Sequence, residues 1–119
     1  MCSSDLLPPS VRIFLRPGGT DMRRSMDGLS ALVREEMGLD ALSGHVFLFR
    51  NRRGDRLKIL VWDQSGFWVM YKRLEQGTFA WPSEEHEFPL EMRASDLMLL
   101  MSGVDVSRTR RRRWYERAA

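Results

Sequence analysis

Cysteine is almost missing from this chain of 119 residues: Cys2 stands alone. A single thiol cannot close an intramolecular disulfide, so a disulfide-stapled scaffold is excluded and a reduced, cytoplasmic setting is expected. Histidine is scarce as well. His45 and His86 have no cysteine beside them and no ligand-like spacing, so no metal site is expected. No apolar run approaches the roughly 20 residues that a membrane-spanning helix requires. Residues 1–10 lack the basic start and apolar stretch of a secretory signal, so no membrane partner is expected. Repeats and low-complexity linkers are absent too, and the length suits one domain with a modest core.

Charge is present but unevenly spread. The net charge is +3, yet residues 105–119 alone carry six arginines against Asp105 and Glu116. The remaining body is close to neutral, so the basic character belongs to the C-terminal stretch. Residues 106–119 show no apolar periodicity, and like charges this dense resist folding alone; they read as a flexible basic tail. Residues 1–10 read as a loosely held lead-in, which leaves residues 11–105 as the single folded domain.

Within that domain, residues 45–81 form four apolar runs separated by three turn signals. The runs are residues 46–49, 57–62, 67–74 and 78–81. Asn51-Arg52-Arg53-Gly54-Asp55, Asp63-Gln64-Ser65-Gly66 and Glu75-Gln76-Gly77 break them. Runs rich in β-branched and aromatic residues, bounded by Gly and Asp, read as strands joined by short hairpins. Connections this short make neighbouring strands antiparallel. Upstream, residues 11–16 alternate with Val11, Ile13 and Leu15 on one face and Arg12, Phe14 and Arg16 on the other, a half-buried strand. Met26, Leu29, Leu32, Val33 and Met37 recur at helical spacing, with Ser25 as N-cap and Gly38 at the stop. Residues 88–92 suit a short extended piece. Residues 94–102 suit a second helix, with Leu97, Leu100 and Met101 as its core stripe. The predicted fold is α+β: an antiparallel β-meander of about five strands with two short helices packed on it and a basic C-terminal tail. Both sheet faces carry large apolar groups. Two helices suffice for one face, which leaves the second to a terminal segment or another subunit, and so a homo-oligomer is admitted.

Several blocks of this sequence resemble one known family. Thr20-Asp21-Met22-Arg23-Arg24 with Asp27-Gly28-Leu29 resembles its first signature. Residues 47–60, from Phe47 through Arg50-Asn51-Arg52-Arg53-Gly54-Asp55 to Leu60, resemble its second. Trp62-Asp63 with Gly66, then Tyr71-Lys72-Arg73-Leu74-Glu75, Gly77, Phe79 and Trp81-Pro82, resemble its third, and the leucine-rich stretch ending Gly103-Val104-Asp105 its last. The family is that of TnpB, the accessory protein from the second open reading frame of insertion-sequence-66 transposons. The resemblance covers about residues 11–105. It departs at Ser25, where a glycine is common, and at Arg93, where Ser or Thr usually caps the second helix. It implies a bacterial protein that assists transposition beside a separate transposase of the same element. It implies no reaction.

Two clusters are candidates for nucleic-acid contact. Arg50, Arg52, Arg53, Arg56 and Lys58 crowd one hairpin turn against the lone acid Asp55; clustered cations bind phosphate backbones by releasing counterions. Charged side chains at a hairpin also discourage edge aggregation, which is the competing structural reading. In the tail, Arg108, Arg110, Arg111, Arg112 and Arg113 fit phosphates, with Trp114 and Tyr115 available for stacking. Contact of this kind with transposon ends is non-specific. Asp21 to Arg24 read as turn and cap residues. Tyr71, Lys72 and Arg73 beside Phe67 and Trp68 suit a nucleic-acid sheet but read more simply as core. No active site emerges: Asp55, Asp63 and Glu75 fall at turns on opposite ends of the meander, and no nucleophile elbow or phosphate loop is present. No cofactor is implied. The expected function is a non-catalytic accessory that binds DNA; the alternative is an adaptor that meets the transposase through the sheet's second apolar face.

Overall fold

The computed structural model describes residues 11–82 and 89–102, and the backbone of the strand Tyr115–Arg117. Its elements run in the order β1 (Ile13–Leu15), α1 (Met26–Glu35), β2 (Val46–Arg50), β3 (Arg56–Asp63), β4 (Gly66–Arg73), β5 (Leu90–Met92), α2 (Ala94–Met101) and β6 (Tyr115–Arg117). The six strands form one sheet in the order β4-β3-β2-β1-β5-β6. The lead-in assigned to residues 1–10 lies outside the described residues.

Two of the three expected hairpins are present. β2 pairs antiparallel with β3, Val46 facing Val61 and Arg50 facing Leu57. β3 pairs antiparallel with β4 from Arg56 opposite Arg73 to Asp63 opposite Gly66. The sheet is nonetheless mixed and no pure meander, because β1 pairs in parallel with β2. The chain between them carries α1, and a crossover of that length permits the parallel arrangement that a tight turn forbids. β1 also accepts β5 on its other side, antiparallel, and so lies inside the sheet. All three of its residues are therefore buried. Phe14, expected on an outer face beside Arg12 and Arg16, stacks on Phe47 with ring centroids 5.7 Å apart.

Two further expectations fail. Residues 78–81 form no strand. They cross the ends of the central strands, where Phe79 enters the core, its N–H donates to the Gly54 carbonyl (2.8 Å), and the Trp81 indole N–H donates to the Arg16 carbonyl (2.8 Å). β4 is left as an edge. At the other edge, Tyr115–Arg117 adds a strand to β5 from within the stretch read as tail, which raises the strand count to six.

Each sheet face has its own helix. Leu29, Leu32 and Val33 of α1, joined by Met37 and Ala41, pack over Phe14, Phe47, Phe49 and Leu60. On the opposite face Leu97 and Leu100 of α2 pack over Ile13, Leu15, Val46, Leu48, Leu57, Ile59 and Met92. Among the described residues, α2 thus covers the second face. α1 starts at Ser25 as expected, with Asp27 in the first turn favouring the helix dipole, although the serine hydroxyl makes no capping bond. α2 starts at Arg93 with no side-chain cap.

Along the sheet's outer edge β4 presents side chains to solvent: Trp68 is 62 %, Met70 49 % and Tyr71 52 % exposed. Trp68 and Tyr71 do not belong to the core, whereas Phe67 packs against it. Replacing Phe47→Ala should lower stability by about 3–5 kcal/mol through the cavity it leaves, whereas Trp68→Ala should cost under about 1 kcal/mol. Urea unfolding of the two variants checks both values.

Candidate nucleic-acid interface

The β2–β3 turn is held by one side chain. Asn51 Oδ1 accepts hydrogen bonds from the backbone N–H of Gly54 (2.9 Å) and of Arg56 (3.0 Å), and its Nδ2 donates to Asp55 Oδ1 (2.8 Å). Gly54 completes the turn at φ 87°, a left-handed conformation open to glycine. A Cβ there would also lie 2.9 Å from Arg50 Nη1 and 3.2 Å from Thr78 Cβ. The bond from Asn51, ahead of the nearby charges of Arg53 and Arg56, holds the Asp55 carboxyl below its usual pKa.

This rigid turn sorts its five cations into two groups. Arg50 folds inward, where Nη1 donates to the Phe79 carbonyl (2.7 Å) and the guanidinium lies 5.8 Å from the Trp81 ring centroid. Burial pushes its pKa down from the ordinary arginine value. Lys58 reaches to the start of α1, and its ammonium donates to the carbonyls of Met22 (2.7 Å) and Arg24 (3.0 Å). Both make structural contacts. Arg52 and Arg53 point to solvent and Arg56 is half-buried. No carboxylate lies within ion-pairing distance of these three among the described residues.

A second segment lines up against them. The loop leaving β1 is drawn to the hairpin by the Thr20 N–H, which donates to the Arg50 carbonyl (2.8 Å). Arg16 fixes the same loop: Nη1 donates to the Gly19 carbonyl (2.8 Å) and Thr20 Oγ1 (2.9 Å), and Nη2 pairs with Glu36 (2.9 Å). The approach is close enough that a Cβ on Gly19 would meet Arg52 Cα at 2.9 Å. Between loop and hairpin lies an open cleft of about 420 Å³ lined by Gly19 to Arg23 on one side and Asn51, Arg52, Arg53 and Arg56 on the other. Its one acid, Asp21, is already engaged. It accepts from the Arg23 backbone N–H (2.9 Å) and pairs with the Arg23 guanidinium (3.0 Å), and these bonds hold its pKa down to about 2. The turn role expected for Asp21 is therefore observed, and the fold adds what spacing along the chain does not reveal: Arg23 shares a cleft with Arg52, Arg53 and Arg56.

The cationic surface continues onto the sheet. Arg56 stands directly opposite Arg73 on the face that carries α1, one step from the cross-strand pair of Lys58 and Tyr71. Like charges placed opposite each other are unfavourable unless an anion joins them. The tail candidates Arg108, Arg110, Arg111, Arg112 and Arg113 lie outside the described residues, as does His86. His45 serves the backbone, Nδ1 accepting from the Arg12 N–H (3.0 Å). Asp55 and Glu75 lie toward one end of the hairpins and Asp63 at the other, and no cluster of three metal-ligating side chains occurs among the described residues. No helix there is long and apolar enough to cross a membrane.

The chain matches the family model described as IS66 Orf2-like protein over residues 11–111. Among curated proteins, it is similar to uncharacterized protein y4hO of Sinorhizobium fredii (strain NBRC 101917 / NGR234), 38 % identical over 96 residues that span 81 % of this chain and 83 % of that one. Uncharacterized protein y4jC of the same strain is 37 % identical over 102 residues, 86 % of each chain. No solved structure matches.

The Asn51 contacts carry an expected outcome. Asn51→Ala should lower stability by about 1–2 kcal/mol, from loss of the half-buried turn bonds, and return the Asp55 pKa upward toward its ordinary value. A carboxylate with a depressed pKa stabilises the fold above its unfolded pKa, and that contribution fades as pH falls through the folded one. As pH falls through the unfolded carboxylate's pKa, the wild type should therefore lose stability more steeply than the variant, which lacks the Asp55 contribution. NMR titration of Asp55 together with urea unfolding between pH 2 and pH 6 measures both.

Proposed function

This chain belongs to the IS66 Orf2-like family, an accessory product of insertion-sequence elements, and on that premise we propose that it assists transposition by binding DNA phosphates. One observation carries the reading: Arg23, Arg52, Arg53 and Arg56 converge on a single open cleft, and the last three have no carboxylate partner among the described residues. Guanidinium groups on a rigid turn suit phosphate oxygens, because their planar forks bind two oxygens at once. The cleft offers little for reading base edges, so the contact positions DNA without selecting a sequence. Arg108, Arg110, Arg111, Arg112 and Arg113 add to the same electrostatic attraction. The protein supplies no reaction in this reading; strand transfer belongs to the element's separate transposase.

An adaptor that meets the transposase remains the second reading, in a changed form. The sheet face considered for it is covered by Leu97 and Leu100 of α2. What favours an adaptor now is β4, the edge strand among the described residues, with Trp68 and Met70 exposed on it.

Binding of a labelled duplex to the full chain across a salt series tests the first reading. Four phosphate contacts should give a slope of log affinity against log salt of roughly −3 to −4. Arg52→Ala and Arg53→Ala should each reduce its magnitude by about 1. Substituting the five tail arginines with Gln should reduce it further while keeping β6 in place. Absence of duplex binding at low salt overturns the proposal. Co-purification with the transposase that is lost on Trp68→Ser and unaffected by Arg52→Ala would assign the adaptor role instead.

A further inference from the structure

We propose that the α1-side face of the β3–β4 hairpin, next to the arginine cleft, binds an unpaired nucleic-acid strand, with Arg56 and Arg73 on its phosphates and Tyr71 stacked on a base. The inference rests on the DNA-binding reading and specifies which form of DNA the site takes.

Three features meet on this face. Arg56 and Arg73 are directly opposed across the two strands. The acid near Arg73 is Glu75, 3.8 Å away with its side chain 88 % exposed, too solvated to neutralise the pair. A bridging phosphate between two guanidinium groups turns that repulsion into attraction. Next along the same face, opposite Lys58, Tyr71 is 52 % exposed. Lys58, fixed by the Met22 and Arg24 carbonyls, holds its ammonium 5.6 Å from the Tyr71 ring centroid. The ring is thus flanked by a positioned cation and still presents surface to solvent. An aromatic ring among cations on an exposed sheet face is the arrangement by which single strands are held, bases stacked and phosphates paired.

Duplex DNA cannot use this arrangement in full. Its bases are stacked on one another, so a duplex engages the arginines and leaves the tyrosine idle, whereas an unpaired base can lie on the ring. The geometry also separates the two exposed aromatics of β4. Trp68 points to the α2 face and donates its indole N–H to Asp63 Oδ2 (2.9 Å), beside an acid that repels phosphate. Tyr71 stands among cations. As β4 is the sheet's edge, a strand leaving the cleft past Arg56 meets no further β-strand beyond Tyr71.

Fluorescence anisotropy of the full chain with a labelled single strand of about 15 nucleotides, and with its blunt duplex, tests this. Tyr71→Ala should weaken single-strand binding by about fivefold or more and leave duplex binding essentially unchanged. Tyr71→Phe should retain both, and thermal melting should show all three proteins folded. Arg52→Ala should weaken both forms. Equal losses on the two forms for Tyr71→Ala, or no loss on either, overturn the inference while duplex binding keeps the DNA reading standing. If wild-type protein binds neither form at low salt, both fall. If Tyr71→Ala abolishes association with the transposase and leaves single-strand binding intact, the face is a protein contact and the inference is overturned.

Discussion

Parallel pairing of Ile13–Leu15 with Val46–Leu48 is the constraint on which the other parts of this structure depend. A parallel neighbour requires a long crossover, and the crossover here carries α1 over one face of the sheet. It also brings the chain leaving β1 alongside the chain leaving β2, since the two strands run the same way. The Arg16 N–H donates to the Leu48 carbonyl (3.1 Å), and two steps past Gly18 the Thr20 N–H donates to the Arg50 carbonyl (2.8 Å). The arginine cleft is the direct product: the loop after β1 forms one wall and the turn after β2 forms the other. With β5 on its far side, β1 becomes interior, and both faces of the sheet then need cover. α1 and α2 supply it, one each.

Cations serve two purposes in this small protein, and their partners separate them. Arg16, Arg50 and Lys58 spend their donors on carbonyls, a hydroxyl and Glu36, and so tie loop, hairpin and helix start together. Partly desolvated cations of this kind act as bridges because each can satisfy several orphan carbonyls that no regular ladder reaches. Arg23, Arg52, Arg53 and Arg56 stand on the outside of the frame those bridges build. Their electrostatic attraction to an anion depends on how little they are neutralised, and Asp21, with its pKa held at about 2 by Arg23, takes only one of them. A basic turn becomes a cleft because Arg16 and the Thr20–Arg50 backbone bond hold the loop against it.

Features with a local cause are legible in the sequence. The hairpins of β2, β3 and β4 arise from alternating apolar runs and Asp- or Gly-containing turns, α1 from its apolar spacing, and α2 from its leucine stripe. Features that depend on which strand sits beside which are not. Phe14 looks like an outward residue on an edge strand and is core because β1 is central. Phe79 looks like a strand residue and is instead a plug inserted from an irregular segment. Tyr71 and Trp68 look like core aromatics and are exposed because, among the described residues, β4 is an edge strand. In the candidate site, Arg52, Arg53 and Arg56 are recognisable as a charge cluster. Nothing in the spacing along the chain distinguishes them from Arg50 and Lys58, whose partners Phe79, Met22 and Arg24 are distant in sequence.

By itself, then, the sequence determined the chemistry that is available: a family signature spread over most of the chain, two helices, two hairpins, a surplus of arginine, and neither disulfide nor metal-ligand spacing from its single cysteine and two histidines. Those properties are set by residue type and short-range periodicity, which act over a few residues. Only the tertiary structure decided which arginines are bridges and which face solvent, that Arg23 joins the hairpin across a cleft, that Arg73 opposes Arg56, and that α2 packs on the far face. Each of these depends on the order of strands in the sheet. That order is fixed by burying both apolar faces at once, a requirement of the whole chain that no single stretch expresses.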